Sequence, residues 1–375
     1  MTNPDKIKVL HISQVQGGIE TYIEQIITNI DRNRFEVMLA CPAQRESIIK
    51  MVNKYNVPYI NLEITIEIAP LSDLKSIIET IKLVRRLKPD IIHAHSSKAG
   101  MTTRLASIFF KPKVFYTPNA YAYLGQKGLK RKVLLWIEKL AIPFTDFLLA
   151  ASQSEARRSK VDVGFPDRKV VVYPNSIEIL PQRDEPVGAP KNFKMITMVG
   201  RLVDQKNPMM FLRVCKLVTD LRNDIRFQIV GAGFDDKWKD ALEQYIAENH
   251  LEEKINILSW KSREELLQTI RETDVFVMTS MFESFGYVVA EAQMLQVPVV
   301  ATNVDGLNEI IQDGVTGYLI EVDDDQSMAD KILAVIDDSV KTADMVKKGR
   351  ERVSDLFDIK TNIKILEQFY TENSL

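Results

Sequence analysis

Short apolar runs recur along the whole chain, separated by segments with helical period. In the first half they are Ile7 to Ile12, Phe35 to Cys41, Asp90 to His95, Val114 to Tyr116, Phe147 to Ala151 and Val170 to Tyr173. Runs this short and this continuously apolar are the signature of strands covered on both faces, and their alternation with helical stretches predicts a parallel sheet between layers of helix. From Glu178 to Pro190 the pattern stops in a stretch rich in proline and charge, which reads as a linker. A second series follows: Lys194 to Val199, Arg226 to Val230, Ile255 to Leu258, Asp274 to Ser280, Val297 to Thr302 and Tyr318 to Ile320. The fold expected is α/β, with two doubly wound Rossmann-like domains, residues 1–178 and 193–355, joined by a linker over 179–192. Residues 356–375 hold an amphipathic helix, Ile359 to Thr371, expected to cross back to the first domain. In such sheets ligands bind outside the carboxyl ends of the strands, so the two domains are expected to face each other across a substrate cleft.

Composition narrows the function. A chain of 375 residues exceeds one ordinary core, and an apolar fraction of 45% is ample for two. The net charge of −2, from 49 cations and 51 anions, provides no general attraction to nucleic acid. Cys41 and Cys215 are far apart in core-like runs, which argues against a disulfide framework or a thiolate metal site and fits a reducing compartment. No apolar run approaches the ~20 residues of a membrane span, so a cytoplasmic protein is expected.

The chemistry concentrates at strand ends of the second domain. Glu283 and Glu291 stand with seven residues between them, in a segment whose flanks predict strand, helix from Gly286 to Leu295, and strand. Glu283 then lies on the loop at the carboxyl end of a strand. Gly286, Tyr287 and Val288 offer backbone N–H groups at a helix N-terminus, where an anion such as phosphate is stabilised. Carboxylates are poor phosphate ligands but good acceptors from paired hydroxyls, so two acids around a phosphate cradle suggest a sugar nucleotide. Arg201 and Lys206 occupy a loop after the first strand of the same domain, between Gly200 and Pro208. Two cations there can neutralise a departing diphosphate. In the first domain, Gly17 and Gly18 between a strand and a helix allow close backbone approach to phosphate.

Gly200 to Pro208, Val230 to Gly233, Glu283 to Glu291, Asn303 to Ile311 and Asp313 to Gly317 resemble, in order, the donor domain of retaining family 4 glycosyltransferases of GT-B fold. The resemblance extends to the first domain through Gly17 to Thr21, Ile92 to Gly100 and Tyr116 to Ala120, where it is most similar to bacterial capsule, exopolysaccharide and O-antigen enzymes. It implies that Arg201 and Lys206 bind the donor diphosphate and that Glu283 holds hydroxyls of the transferred sugar. Ser284, Phe285, Gly286 and Tyr287 would contact sugar or phosphate, and Glu291 the ribose. Gly231 and Gly233, with Ser259 and Trp260, would lie near the base. His95, Ser96, Lys98 and Asn119 are the expected sugar or acceptor contacts. The implied reaction is retaining hexosyl transfer from a UDP-sugar to a hydroxyl on a lipid-linked saccharide, with no cofactor and no metal. A GT-B epimerase or hydrolase would use the same donor site without an acceptor, and a non-catalytic binder would use it without turnover.

One departure stands out. Members of the family carry histidine in a Thr-Pro-His-Gly-like stretch, where this chain has Thr117-Pro118-Asn119-Ala120. Asparagine cannot carry a proton or charge near neutral pH, which points to a donor with altered substituents, such as a deoxy or acetamido sugar. His93 and His95 share one face of a strand but lack companions for a metal, and Asp323 to Asp325 reads as a solvated turn or helix cap. Lys127, Lys130, Arg131 and Lys132 precede the apolar positions of a tryptophan-bearing helix. The helix either packs on the sheet or rests on an anionic bilayer as a peripheral contact.

Overall fold

The computed structural model describes residues 6–14, 17–42, 46–65, 69–182, 192–231 and 236–374. The chain divides into two compact units, residues 1–178 with 359–375, and residues 179–358. Each is built on one wholly parallel sheet.

In the first unit the strands are β1 (Ile7–Ser13), β2 (Phe35–Cys41), β3 (Tyr59–Asn61), β4 (Ile91–His95), β5 (Lys113–Thr117), β6 (Phe147–Ala150) and β7 (Val170–Val172), in the order β3-β2-β1-β4-β5-β6-β7. The helices are α1 (Gly18–Asn29), α2 (Glu46–Lys54), α3 (Pro70–Leu87), α4 (Ser97–Ala106), α5 (Gly128–Leu140) and α6 (Gln153–Arg158). The edge strand β3 was not evident in the sequence, because its three residues are partly or fully exposed and form no apolar run. One face of the central strands is apolar: Leu10, Ile12, Met38, Ala40 and Ile92 pack with Leu83 and Val84 of α3 and Ala99 of α4. The other face carries His11, His93, His95 and Thr117, all fully buried.

The second unit contains β8 (Lys194–Val199), β9 (Ile225–Val230), β10 (Ile255–Leu258), β11 (Val275–Met278), β12 (Val299–Thr302) and β13 (Tyr318–Ile320), in the order β10-β9-β8-β11-β12-β13. Its helices are α7 (Pro208–Leu221), α8 (Asp236–Glu248), α9 (Arg263–Arg271), α10 (Tyr287–Met294), α11 (Leu307–Ile310), α12 (Asp325–Asp337) and α13 (Ser339–Phe357). Ile196, Met198, Phe211, Val214, Phe227 and Ile229 lie in its core. Asp324 caps α12, accepting from the Ser327 amide, while Asp323 and Asp325 on either side bind Arg213.

The last helix, α14 (Ile359–Asn373), belongs to the first unit. Its Tyr370 hydroxyl lies 2.6 Å from His93 Nδ1, Glu367 accepts from the Asp31 amide, and Asn362 donates to Ser176. Phe369 packs edge-on against Phe147 and at a tilt on Phe115. Cys41 and Cys215 are free and buried, and burial pushes the Cys41 thiol up to about 12.

Between α4 and α5 the first unit buries a charge pair. Arg104 donates to Glu138 at 2.8 Å, Glu138 also accepts from Tyr116, and the guanidinium sits over the Tyr116 ring. Both charges are almost wholly out of water, so removing one partner strands the other. Glu138→Ala is expected to cost about 3–5 kcal/mol, while Arg104→Met with Glu138→Leu should recover most of that loss. Urea titration of both variants measures it.

Candidate functional site

The carboxyl ends of β8, β9, β10 and β11 carry the second unit's predicted residues. Gly200 follows β8, and Arg201, partly buried, opens the loop that ends at Lys206. Lys206 is ion-paired with Glu283, and both side chains are largely buried. Neighbouring groups hold this pair in place. Thr279 donates to the carbonyl of Lys206, Gln205 donates to that of Phe282, and the Met281 amide donates back to Gln205. Thr302 fixes the Ser280 carbonyl at 2.6 Å, and the Gly306 amide donates to the backbone carbonyl of Glu283. Gly306 must be glycine, because a Cβ there would lie 2.4 Å from the Ser284 carbonyl oxygen.

Gly286, at φ +102°, turns the chain from this loop into α10, where a Cβ would come within 2.4 Å of Leu307. No side chain caps the helix, which leaves, a few residues after Glu283, a helix N-terminus of the kind that suits an anion. Ser284 is partly buried. Phe285 turns its ring into the core against Tyr287 and Phe357, leaving its main chain for any ligand. Glu291 is withdrawn further than its spacing suggested. It is buried and accepts from Arg263 of α9 at 2.6 Å, and burial raises its pKa against the opposing pull of that guanidinium. Arg263 was not picked out in the sequence, since it sits in an unremarkable charged helix start. Ser259 and Trp260, after β10, are exposed. Gly231 follows β9, and Gly233 lies outside the described residues.

In the first unit the predicted residues again fall at strand ends. Gly17, at φ +55°, precedes α1, and Gly18 is its first residue. Asn119, at φ +51°, and Ala120, at φ +73°, form a left-handed turn after β5, held by Glu155, which accepts from the amides of Ala120 and Ala151. Alanine is strained there in a way glycine would not be. Ser96, at φ +70°, precedes α4. Lys98, expected at a sugar or acceptor, is engaged by Asp73 at 2.7 Å.

His95 is fully buried and pairs through Nε2 with His11 Nδ1 at 2.9 Å. His93 spends both ring nitrogens, on Tyr370 and on Thr117 at 2.7 Å. His11 was missed in the sequence because its partnership comes from strand register, His11 opposite His93. One nitrogen of each imidazole lies within 4.8 Å of the others, while His11 Nε2 and His95 Nδ1 are buried without a hydrogen-bond partner. Burial holds all three below the ordinary histidine range, His11 at about 3 with Arg32 adding to the effect.

Two doubly wound units on parallel sheets, with cations at the strand ends of the second, have the architecture of the GT-B fold. Residues 16–179 match the family model Glycosyltransferase Family 4, and residues 181–352 match Glycosyl transferases group 1. An uncharacterized 41.2 kDa protein in the cps region of Klebsiella pneumoniae is 32% identical, over 88% of this chain and 89% of its own. The Escherichia coli UDP-Gal:alpha-D-GlcNAc-diphosphoundecaprenol alpha-1,3-galactosyltransferase is 26% identical over 98% and 97%. The solved Anabaena protein HepE, in complex with UDP and glucose, shares the fold with a TM-score of 0.82 at 20% identity, over 97% of this chain and 99% of its own. The chain belongs to the family 4 glycosyltransferases.

The buried imidazoles make stability depend on pH. They stay neutral when folded, but the unfolded chain protonates them near 6.5, so their contribution is complete above that pH and is lost as pH falls below it. The loss approaches about 1.4 kcal/mol per histidine per pH unit. Calorimetry should show a lower Tm at pH 5.5 than at pH 7.5, with a smaller difference in His11→Asn.

Proposed function

We infer that the protein moves a hexose, such as a deoxy or acetamido sugar, from a UDP-sugar to a hydroxyl of a lipid-linked saccharide, with retention and without metal. The product serves surface polysaccharide, as in the capsule-region relatives, and the reaction takes place on the cytoplasmic side of a membrane. The observation that carries this reading is the Lys206–Glu283 pair set beside the uncapped start of α10. An arriving diphosphate competes for the Lys206 ammonium and the α10 N–H groups, with Arg201 in the same loop. Glu283, released from its ion pair, then takes hydroxyls of the sugar. The acceptor oxygen bonds to the anomeric carbon on the face the diphosphate leaves, the bond to the phosphate oxygen breaks, and the acceptor proton passes to the departing diphosphate. No protein acid or base is required. The residues contribute positioning and stabilisation of charge that develops on the leaving group.

In the first unit, His95 Nδ1, Ser96 Oγ and Asn119 Nδ2 are buried polar atoms without a protein partner. Hydroxyls of a bound sugar would relieve that deficit, which supports their assignment to the sugar or acceptor side.

The test is nucleoside diphosphate release from a panel of UDP- and GDP-sugars, with and without a membrane lipid extract. Release should require both a UDP-sugar and the extract, survive a chelator, and fall by about 10²–10³ in Lys206→Ala, with a comparable loss in Glu283→Ala. Turnover without acceptor would instead identify an epimerase or hydrolase, and binding without turnover a non-catalytic protein. Asn119→His should change donor preference; unchanged preference and rate would refute the role given to Asn119.

A further inference from the structure

The helix α5 carries apolar residues on the side that faces water. Its one fully buried residue is Glu138, held by Arg104, while Leu134 and Leu135 are partly buried against the tyrosines of the unit. Leu129, Val133, Trp136 and Leu140 are exposed at 77%, 44%, 60% and 52%. At about 100° per residue these four fall within an arc of about 60°, with Glu138 about 170° away. Single exposed apolar residues are ordinary, but four in register on one helix form a surface. Ile108 and Phe109, a few residues beyond Arg104, are exposed as well.

The charges around the stripe are of one sign. Lys130 flanks it on one side and Lys132 and Lys139 on the other, each about 70–90° from its centre, where a lysine can lay its stem along apolar surface and reach outward with its ammonium. From Lys127 to Leu140 the only acid is Glu138, and that acid is buried and paired. The chain as a whole is slightly negative, so the cations reflect local placement rather than composition. A second copy would bring like charges together, and lysine is depleted at protein interfaces. An apolar stripe with a tryptophan and a lysine rim fits the boundary between headgroups and acyl chains of an anionic bilayer. None of the described helices is long and apolar enough to cross one.

We propose that α5 is the membrane-docking surface of the first unit and lies in the plane of an anionic phospholipid bilayer. Leu129, Val133, Trp136 and Leu140 enter the acyl boundary, and Lys130, Lys132 and Lys139 bind lipid phosphates. The buried Arg104–Glu138 pair anchors the helix from beneath. Docking would hold the first unit, in which the Asn119 turn precedes α5 along the chain, at the surface where a lipid-linked acceptor lies. That consequence rests on the lipid-linked acceptor inferred above, whereas the docking itself does not.

Flotation of the full chain with phosphatidylcholine vesicles, with and without phosphatidylglycerol, tests the proposal. Binding is expected only to the anionic vesicles, with release by salt. Trp136→Ser together with Leu129→Ser should weaken it at least tenfold and Trp136→Phe much less, with circular dichroism confirming the fold. Each of Lys130→Gln, Lys132→Gln and Lys139→Gln should cost about fivefold. Wild-type protein that stays off anionic vesicles, or serine variants that float equally well, would overturn the proposal. So would a dimer that the serine variants dissolve, since the stripe would then be covered by a second copy. Turnover on a water-soluble acceptor should be unchanged in the serine variants. Vesicle binding without any sugar transfer would refute the transferase reading alone, and transfer without vesicle binding would refute the docking alone.

Discussion

Both sheets are wholly parallel, and much else in the molecule depends on that constraint. Parallel strands require crossovers, so every strand leaves its sheet at the same edge and the following helix presents its N-terminus there. Backbone N–H groups, positive dipole ends and loop side chains therefore collect at one edge of each unit without being recruited individually. In the second unit that edge holds Lys206, Glu283 and the start of α10 within one network of loop hydrogen bonds. The charges are placed by backbone geometry, which Thr279, Thr302 and Gly306 lock.

The sequence was most legible where structure follows from local rules. Among the described residues, twelve of the thirteen strands appear as short apolar runs, and the loops after β8 and β11 announce themselves by charged residues at strand ends. Legibility failed where a property depends on register or on a distant segment. The partnership of His11 with His95 needs the alignment of β1 on β4, and the engagement of Lys98 by Asp73 needs α3 against α4. Arg263 reaches Glu291 from another helix. α5 could not be oriented from its pattern because it is apolar on two sides, and the buried Glu138 with the partly buried Leu134 and Leu135 shows which side is inward.

One buried face of the first sheet mixes polar with apolar side chains, His11, His93, His95 and Thr117 standing among Val9, Leu39, Ile91 and Phe115. Imidazoles, hydroxyls and phenols in the middle of a sheet are tolerable when they satisfy one another, and low dielectric strengthens the bonds they make. The same setting makes every unmet partner costly. This face is therefore rigid and specific where its network closes, around His93, and open to improvement by a ligand where polar atoms lack partners at the strand ends.

The final helix has a consequence for how the molecule is made. Tyr370 and Phe369 complete the covering of the first sheet, yet they follow the whole of the second unit along the chain. During synthesis the first unit emerges early with His93 lacking its phenol partner and with Phe115 and Phe147 uncovered, and it stays so while the second unit is still being translated. Assembly of the two halves is thereby sequential in an unusual order: the unit begun first is finished last.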